Sequence, residues 1–227
     1  MNPISIPSSI GNPLHINEIF FSLQGESSFI GLPMIFIRLA GCNLNCRWCD
    51  TRYACTEPGQ WMDYTEIIRQ IGPYPCRTIE FTGGEPLLQK ANLIPFQQEL
   101  IRRGYRLLME TNGSLPVIGS PPELIIIMDV KTPSSGQAGS FMIDNLDSLN
   151  KKQDQLKFVI ADRQDFDYMI GFIRRCQHQV TEEILVSPVW GIIPPREIAE
   201  WIIWSGMNLR LQIQQHKIIW PDQTRGV

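Results

Sequence analysis

Gly41-Cys42-Asn43-Leu44-Asn45-Cys46-Arg47-Trp48-Cys49-Asp50 places three cysteines within eight positions, shortly after the apolar run Met34–Leu39. A tight loop can aim three sulfurs at one centre, and thiolate is a preferred ligand of zinc and of iron–sulfur clusters. Structural zinc wants four ligands, so a zinc reading has to recruit Cys55 or Cys76. Buried structural cysteines are common but rarely clustered this way. Three thiolates instead satisfy three irons of a cubane and leave the fourth without a protein ligand, and an open position is what a catalytic metal site requires. Cys42, Cys46 and Cys49 are the expected ligands of a [4Fe–4S] cluster, and Cys55, Cys76 and Cys176 are assigned to packing.

Outward from this loop, short apolar runs alternate with stretches of helical period. The candidate strands are Met34–Leu39, Thr78–Thr82, Tyr105–Glu110, Leu124–Val130, Leu156–Ile160, Glu183–Val186 and Leu209–Ile213, preceded by an extended segment Ile16–Leu23. The candidate helices are Thr65–Ile71, Leu93–Arg103, Asp165–Gln177 and Pro195–Ser205. Asp162 or Asp165 gives the third a capping start, and Ile198, Trp201 and Ile202 share one face of the fourth. Strand–helix alternation implies parallel strands joined by right-handed crossovers, and the strand number suits an open or partial α/β barrel. Loops at the carboxyl ends of such strands converge on one face. Besides the cysteine loop, Thr82-Gly83-Gly84-Glu85-Pro86, Glu110-Thr111-Asn112-Gly113 and Asp129-Val130-Lys131-Thr132-Pro133 all sit at strand ends.

Composition narrows the function classes. Hydrophobic residues make up 43% and charged residues 19% of 227 residues, as in an ordinary globular protein with a substantial core. With no repeat, low-complexity tract or linker, the chain reads as a single domain over residues 1–227. The formal net charge of -3 and the lack of basic runs argue against a general grip on nucleic acid and favour small-molecule chemistry. The first residues lack a basic start and a long apolar stretch, so no secretory signal is expected. The most apolar segment, Leu124–Met128, is too short for a bilayer. The expected location is the cytoplasm, where six cysteines suggest metal or catalytic use for some of them rather than disulfides.

The Cys-x3-Cys-x2-Cys loop, with Trp48 before its last cysteine, resembles the signature of radical S-adenosylmethionine enzymes, and Thr82-Gly83-Gly84-Glu85-Pro86 resembles their glycine-rich motif. Within that superfamily, Phe21-Ser22-Leu23-Gln24-Gly25-Glu26-Ser27, Arg38 with Leu39-Ala40-Gly41-Cys42, and Cys49-Asp50-Thr51 are similar to the 7-carboxy-7-deazaguanine synthase family. So are Glu110-Thr111-Asn112-Gly113, Lys131-Thr132-Pro133, Leu156-Lys157-Phe158-Val159-Ile160 and Gln215-His216-Lys217. The resemblance runs from about residue 16 to the end of the chain. It implies an α/β fold, a partial (open) parallel β/α barrel of about six core strands with a reduced helix set. It also implies ring contraction of 6-carboxy-5,6,7,8-tetrahydropterin to 7-carboxy-7-deazaguanine with loss of ammonia, in queuosine or 7-deazapurine biosynthesis. A radical made from S-adenosylmethionine by the reduced cluster would start that reaction.

The resemblance extends to individual residues. Leu23, Gln24, Gly25, Arg38 and Thr82 would bind the pterin, with the rigid guanidinium fork of Arg38 suited to its carboxylate. Trp48, Cys49, Asp50, Gly84, Glu110 and Lys131 would bind S-adenosylmethionine, and the Thr51 hydroxyl would bind Mg2+. A surface ion pair for Arg38, a turn role for Thr51 and a structural Asp129–Lys157 pair are the plainer alternatives. His216 reads more readily as structural than as an acid or base. Ser27 departs from the family's frequent Gly-Glu-Gly, a change that a loop can accept. The tail, residues 218–227, leaves a C-terminal substrate contact open, with only Pro221 near the place where relatives end in proline. The family implies a flavodoxin- or ferredoxin-type electron donor and a homodimer, with apolar surface near the early strands and the Pro195–Ser205 helix as candidate interface. The competing functions are a glycyl-radical enzyme activase and a non-catalytic iron–sulfur or zinc module.

Overall fold

The computed structural model describes residues 13–227. Nine strands form one sheet: β1 (Leu14–Leu23), β2 (Pro33–Leu39), β3 (Gln60–Met62), β4 (Thr78–Gly83), β5 (Arg106–Thr111), β6 (Ile125–Asp129), β7 (Gln155–Ile160), β8 (Glu183–Pro188) and β9 (Arg210–Leu211). Their order is β3-β1-β2-β4-β5-β6-β7-β8-β9. From β2 to β9 every neighbouring pair is parallel. β1 runs antiparallel to both β2 and β3. The helices are α1 (Tyr53–Thr56), α2 (Tyr64–Ile71), α3 (Lys90–Arg102), α4 (Arg163–Arg175), α5 (Pro195–Ser205) and α6 (Gln215–Ile219).

Local chemistry sets several boundaries. The Asp63 carboxylate accepts from Glu66 N–H at 2.8 Å and starts α2. Asp162, not Asp165, caps α4, accepting from Asp165 N–H at 2.9 Å. Asp165 lies inside the first turn, fully buried, and accepts from Ser134 and Ala161 N–H at 2.9 Å each. α5 begins at Pro195 and stops where Gly206 takes a φ of +66°. The crossovers β5–β6 and β6–β7 contain only two short 3-10 turns, Pro133–Ser135 and Ile143–Ser148. Pro116, Gly119, Pro121 and Pro122 interrupt any helical period in the first of these. This is the reduced helix set of an open, partial β/α barrel with six longer parallel strands.

Three elements escape a reading by period. β3, α1 and α6 have only three, four and five residues, too few for a periodic pattern. The last strand shrinks from the expected Leu209–Ile213 to Arg210–Leu211. Ser27 adopts a left-handed φ of 59°, a conformation glycine takes at no cost, so the serine is accommodated with local strain.

The strand period of two residues sorts the core. Ile35, Ile37, Leu39, Ile79, Phe81, Leu107, Met109, Leu156 and Phe158 face the helices in one continuous apolar cluster. The alternate residues Met34, Phe36, Leu108, Ile125, Ile127 and Leu185 form a second cluster with Phe20 on the opposite face. Following that second face toward the carboxyl ends, Phe36 gives way to Arg38, Leu108 to Glu110 and Ile127 to Asp129. The inner face therefore has an apolar floor and a charged rim. Among the described residues no helix is long and apolar enough to cross a membrane.

Phe81 is fully buried between α3 and the sheet, whereas Trp204 on α5 is 88% exposed. Phe81→Ala should lower unfolding free energy by about 3–5 kcal/mol through lost burial and a residual cavity. Trp204→Ala should stay within about 0.5 kcal/mol of wild type. Urea denaturation of the two variants checks the contrast.

Candidate active site

A cavity of about 570 Å³ opens at the carboxyl ends of the parallel strands. Cys42, Cys46 and Cys49 all line it, Cys46 buried and the other two half-buried. The loop that carries them is pinned from several sides. Arg52 reaches back to Asn45 Oδ1 and to the Cys46 carbonyl, both at 2.9 Å, and Arg47 N–H donates to the Ser135 carbonyl at 3.0 Å. Leu44 N–H and the Asn112 amide point at Cys42 Sγ, at 3.4 and 3.9 Å, as donors suited to a thiolate. Burial pushes the unligated Cys46 thiol up, which disfavours the thiolate until a metal compensates for its charge.

Among the described residues no three His, Cys, Asp or Glu side chains form a ready site for a single metal ion. A cubane does not demand that closeness, because each thiolate binds a different iron. Three thiols from one loop, facing a shared cavity with room beside them, fit a [4Fe–4S] cluster. Cys176 packs in the core and the Cys76 thiol lies 3.3 Å from the Pro33 carbonyl, as packing residues would. Cys55 differs from its expected packing role: it lines the cavity beside Cys42. Burial, then the neighbouring Cys42 and Cys49, raise its thiol to about 12. The short helix α1, invisible by periodicity, is what turns Cys55 inward.

The glycine motif is built by close packing of two loops. Gly84 N–H donates to the Leu39 carbonyl at 3.1 Å and Glu85 N–H to the Gly41 carbonyl at 2.8 Å. A Cβ on Gly84 would fall 1.9 Å from the Gly41 oxygen, so no larger residue fits. Glu85, fully buried, accepts from Leu87 N–H at 3.0 Å, from the Thr111 hydroxyl at 2.8 Å and from Asn112 N–H at 2.8 Å. It ties the end of β4 to the end of β5. Burial raises its carboxyl despite these donors.

The remaining wall is charged. Arg38 Nε meets Glu18 at 2.7 Å, while its guanidinium lies 5.5 Å from the Phe20 ring and 5.7 Å from the Tyr53 ring. Arg38 is thus an ion-pair partner and a cavity residue at once, and among the described residues its two Nη groups have no hydrogen-bond partner. The alternative of a structural Asp129–Lys157 pair is not realised. Asp129 pairs with Lys131 at 2.7 Å, and Lys157 joins Glu26 and, at 3.4 Å, Glu110. The register explains it: Lys157 lies beside Asp129 on the neighbouring strand, yet reaches toward the segment after β1 and across to β5. Burial tends to raise the Glu26 carboxyl, but Lys157 and Gln214 outweigh it and hold it low. Glu110 is raised by burial, with Lys157 pulling the other way.

The other candidates also line the cavity: Leu23, Gln24, Gly25, Trp48, Thr51 and Thr82. Trp48 donates from its indole to Ser134 at 3.1 Å, and the Lys131 ammonium sits 5.5 Å from its ring. The Thr51 hydroxyl donates to Asp50 Oδ1 at 3.0 Å. Thr82 leans toward Glu110 at 3.4 Å. The Gln24 side chain is held by two partners, which leaves one N–H toward the cavity. Its oxygen accepts from Glu26 N–H at 2.9 Å and its nitrogen donates to Glu80. Asp50, half-exposed, accepts from Lys217 at 2.7 Å and Gln214 at 3.0 Å. Partial shielding pushes its carboxyl up, but those donors hold it well below the usual range.

His216 packs on Gly25, where an added Cβ would lie 2.2 Å from Nδ1, and burial lowers its imidazole. Pro221 is not part of the cavity wall, whereas Val227 is. Glu80, Glu18, Tyr53, Gln214 and Lys217 were not read as site residues. Two of them carried a sequence signal: Glu80 is an acid inside the apolar run Thr78–Thr82, and Lys217 belongs to the Gln215-His216-Lys217 motif.

Lys157→Met removes the shared cation of Glu26 and Glu110 while keeping the aliphatic stem. The variant should lose about 3–5 kcal/mol of unfolding free energy, the usual result of leaving a buried charge unpaired. Urea denaturation at neutral pH measures it, and a loss below about 1 kcal/mol would mean the network is hydrated and weak.

A family model described as the radical SAM superfamily matches residues 36–131. A curated 7-carboxy-7-deazaguanine synthase of Koribacter versatilis is 40% identical, aligned over 94% of this chain and 100% of its own. One from Chlorobaculum tepidum is 39% identical over 95% of this chain and 98% of its own. Among solved structures, QueE from Escherichia coli superposes with a TM-score of 0.75 at 26% identity, covering 90% of this chain and 95% of that one. SuiB from Streptococcus suis, at 16% identity and a TM-score of 0.52, shares the fold alone. The chain belongs to the 7-carboxy-7-deazaguanine synthase family of radical S-adenosylmethionine enzymes.

Proposed function

We propose that this enzyme converts 6-carboxy-5,6,7,8-tetrahydropterin into 7-carboxy-7-deazaguanine and ammonia. One observation carries the reading: the three-cysteine loop, the Leu23–Glu26 segment, Arg38 and Thr51 line one cavity, in a chain related to named synthases over nearly its whole length. When bound, the [4Fe–4S] cluster and S-adenosylmethionine supply reductive C–S cleavage and hydrogen-atom abstraction. The family is one of lyases in queuosine biosynthesis, and the product fits that route.

Each wall residue has a task that its geometry supports. Cys42, Cys46 and Cys49 would hold the [4Fe–4S] cluster. Gly84, Trp48, Asp50, Glu110 and Lys131 line the cavity beside the cysteine loop and would hold S-adenosylmethionine there. Arg38 offers its Nη edge to the substrate carboxylate, its Nε being held by Glu18. Leu23, Gln24, Gly25 and Thr82 face the ring. Thr51, beside the Asp50 carboxylate, offers a hard oxygen that would hold Mg2+. The apolar floor of Phe20, Phe36 and Ile127 excludes water from beneath the site. The enzyme is a single domain over residues 1–227, with its cluster loop at 41–51 and its tail at 218–227. It works in the cytoplasm as a homodimer, reduced by a flavodoxin- or ferredoxin-type donor. Exposed Ile30 and Leu32 between β1 and β2 are candidates for the dimer contact.

The reconstituted enzyme, assayed anaerobically with reductant, S-adenosylmethionine, Mg2+ and carboxytetrahydropterin, should yield 7-carboxy-7-deazaguanine by mass spectrometry. Cys46→Ala should abolish product, and Thr51→Ala or removal of Mg2+ should slow its formation. 5′-Deoxyadenosine without pterin turnover would keep the radical chemistry and reject the substrate.

A further inference from the structure

Glu80 lies on β4 with 1% of its surface exposed, and its side chain forms part of the cavity wall. It belongs to none of the roles assigned above. The other acids of the wall are each matched with a cation, Asp129 with Lys131 and Asp50 with Lys217, while the wall residue Arg38 pairs with Glu18 behind it. What remains is Lys157 facing three carboxyl groups, Glu26, Glu80 and Glu110. Lys157 touches Glu26 and Glu110. Among the described residues the one hydrogen bond to the Glu80 carboxyl comes from the amide of Gln24. A buried carboxylate without a cation in contact keeps its proton rather than its charge.

The bond to Gln24 has a direction. Glu26 N–H occupies the Gln24 oxygen at 2.9 Å, so the Gln24 nitrogen must face Glu80. The backbone of Gln24 is held on both sides, donating to the Leu32 carbonyl at 2.8 Å and accepting from Gly31 N–H at 2.7 Å. Glu80 is the last group that fixes this amide, leaving the second N–H of Gln24 to the cavity.

We propose that Glu80 is a neutral carboxylic acid in the working enzyme and a positioning residue that holds the Gln24 amide at the ring edge of the pterin. The proposal rests on the functional reading above. The groups facing Glu80 are Glu26 from the segment after β1, Arg38 from β2, Glu110 from β5 and Lys157 from β7. Burial, then Glu110, raises the Glu80 carboxyl well above its ordinary value. Both causes favour the protonated acid, which ionises as pH climbs through that raised value. Ionisation there adds negative charge between two other carboxyls, where a carboxylate substrate has to bind.

Two measurements test it. Infrared difference spectra of reconstituted wild type against Glu80→Gln at neutral pH should show a protonated-carboxyl C=O band that the variant lacks. No lost band would mean an ionised Glu80 and overturn the proposal, and this result does not depend on the substrate. In turnover, Glu80→Ala should raise KM for the pterin about tenfold with kcat much less affected, the worth of one charge-free hydrogen bond. Glu80→Gln should restore KM to within about threefold, because a neutral carboxamide still accepts from Gln24. The wild-type KM should rise at alkaline pH, and that of Glu80→Gln should not. An unchanged KM in Glu80→Ala, or a Glu80→Gln variant as impaired as Glu80→Ala, overturns the positioning role. A wild type that leaves the pterin untouched overturns the functional reading and the positioning role together, while the infrared band still decides the protonation state.

Discussion

The parallel pairing of β2 with β4 sets Leu39 opposite Gly83, and the site is assembled around that register. It brings the first residue of the cysteine loop against the glycine motif, so closely that Gly84 admits no side chain beside the Gly41 carbonyl. Glu85 then extends the junction to β5 through Thr111 and Asn112. Asn112 in turn reaches Cys42 and Asn43. Backbone and buried hydrogen bonds of the protein itself thus hold the thiol loop, the glycine loop and the next strand end in place.

The two-residue period of the strands does the rest of the division. One face is apolar throughout and buries against the helices. The other is apolar only as far as Phe36, Leu108 and Ile127, and becomes charged one residue pair later. Charges so placed are shielded from water and demand partners, which explains why nearly every acid of the rim has a basic neighbour. The excess of acids over bases falls around Lys157. A cavity with that excess favours a protonated carboxyl over a bare charge, and gives the wall a proton-bearing group in an otherwise ionic setting.

The C-terminal part completes the site from a distance. Gln214 and Lys217 reach Asp50, and Gln214 also reaches Glu26, across more than 160 residues of chain. His216 rests on Gly25. The segment after β1, the end of the cluster loop and the start of α6 are therefore tied together, and the proposed substrate contacts in Leu23–Gly25 depend on residues near the other end of the chain.

By itself, the sequence determined the α/β class, because runs such as Met34–Leu39 and Leu124–Val130 alternate with helical periods, and it singled out three thiols that line the cavity, because their spacing is local. It also marked which strand ends carry chemistry, since a strand's last residues and its loop are neighbours along the chain. It did not reveal β3, α1 and α6, which are shorter than any period. Partners were also beyond it: that Asp129 takes Lys131 while Lys157 takes Glu26 and Glu110, that Cys55 turns toward Cys42, and that Gln24 is held by Glu80. Those contacts depend on strand register and on chain segments far apart in sequence. Only tertiary structure sets these, because charge pairing in a buried wall is decided by which side chains the fold brings within reach.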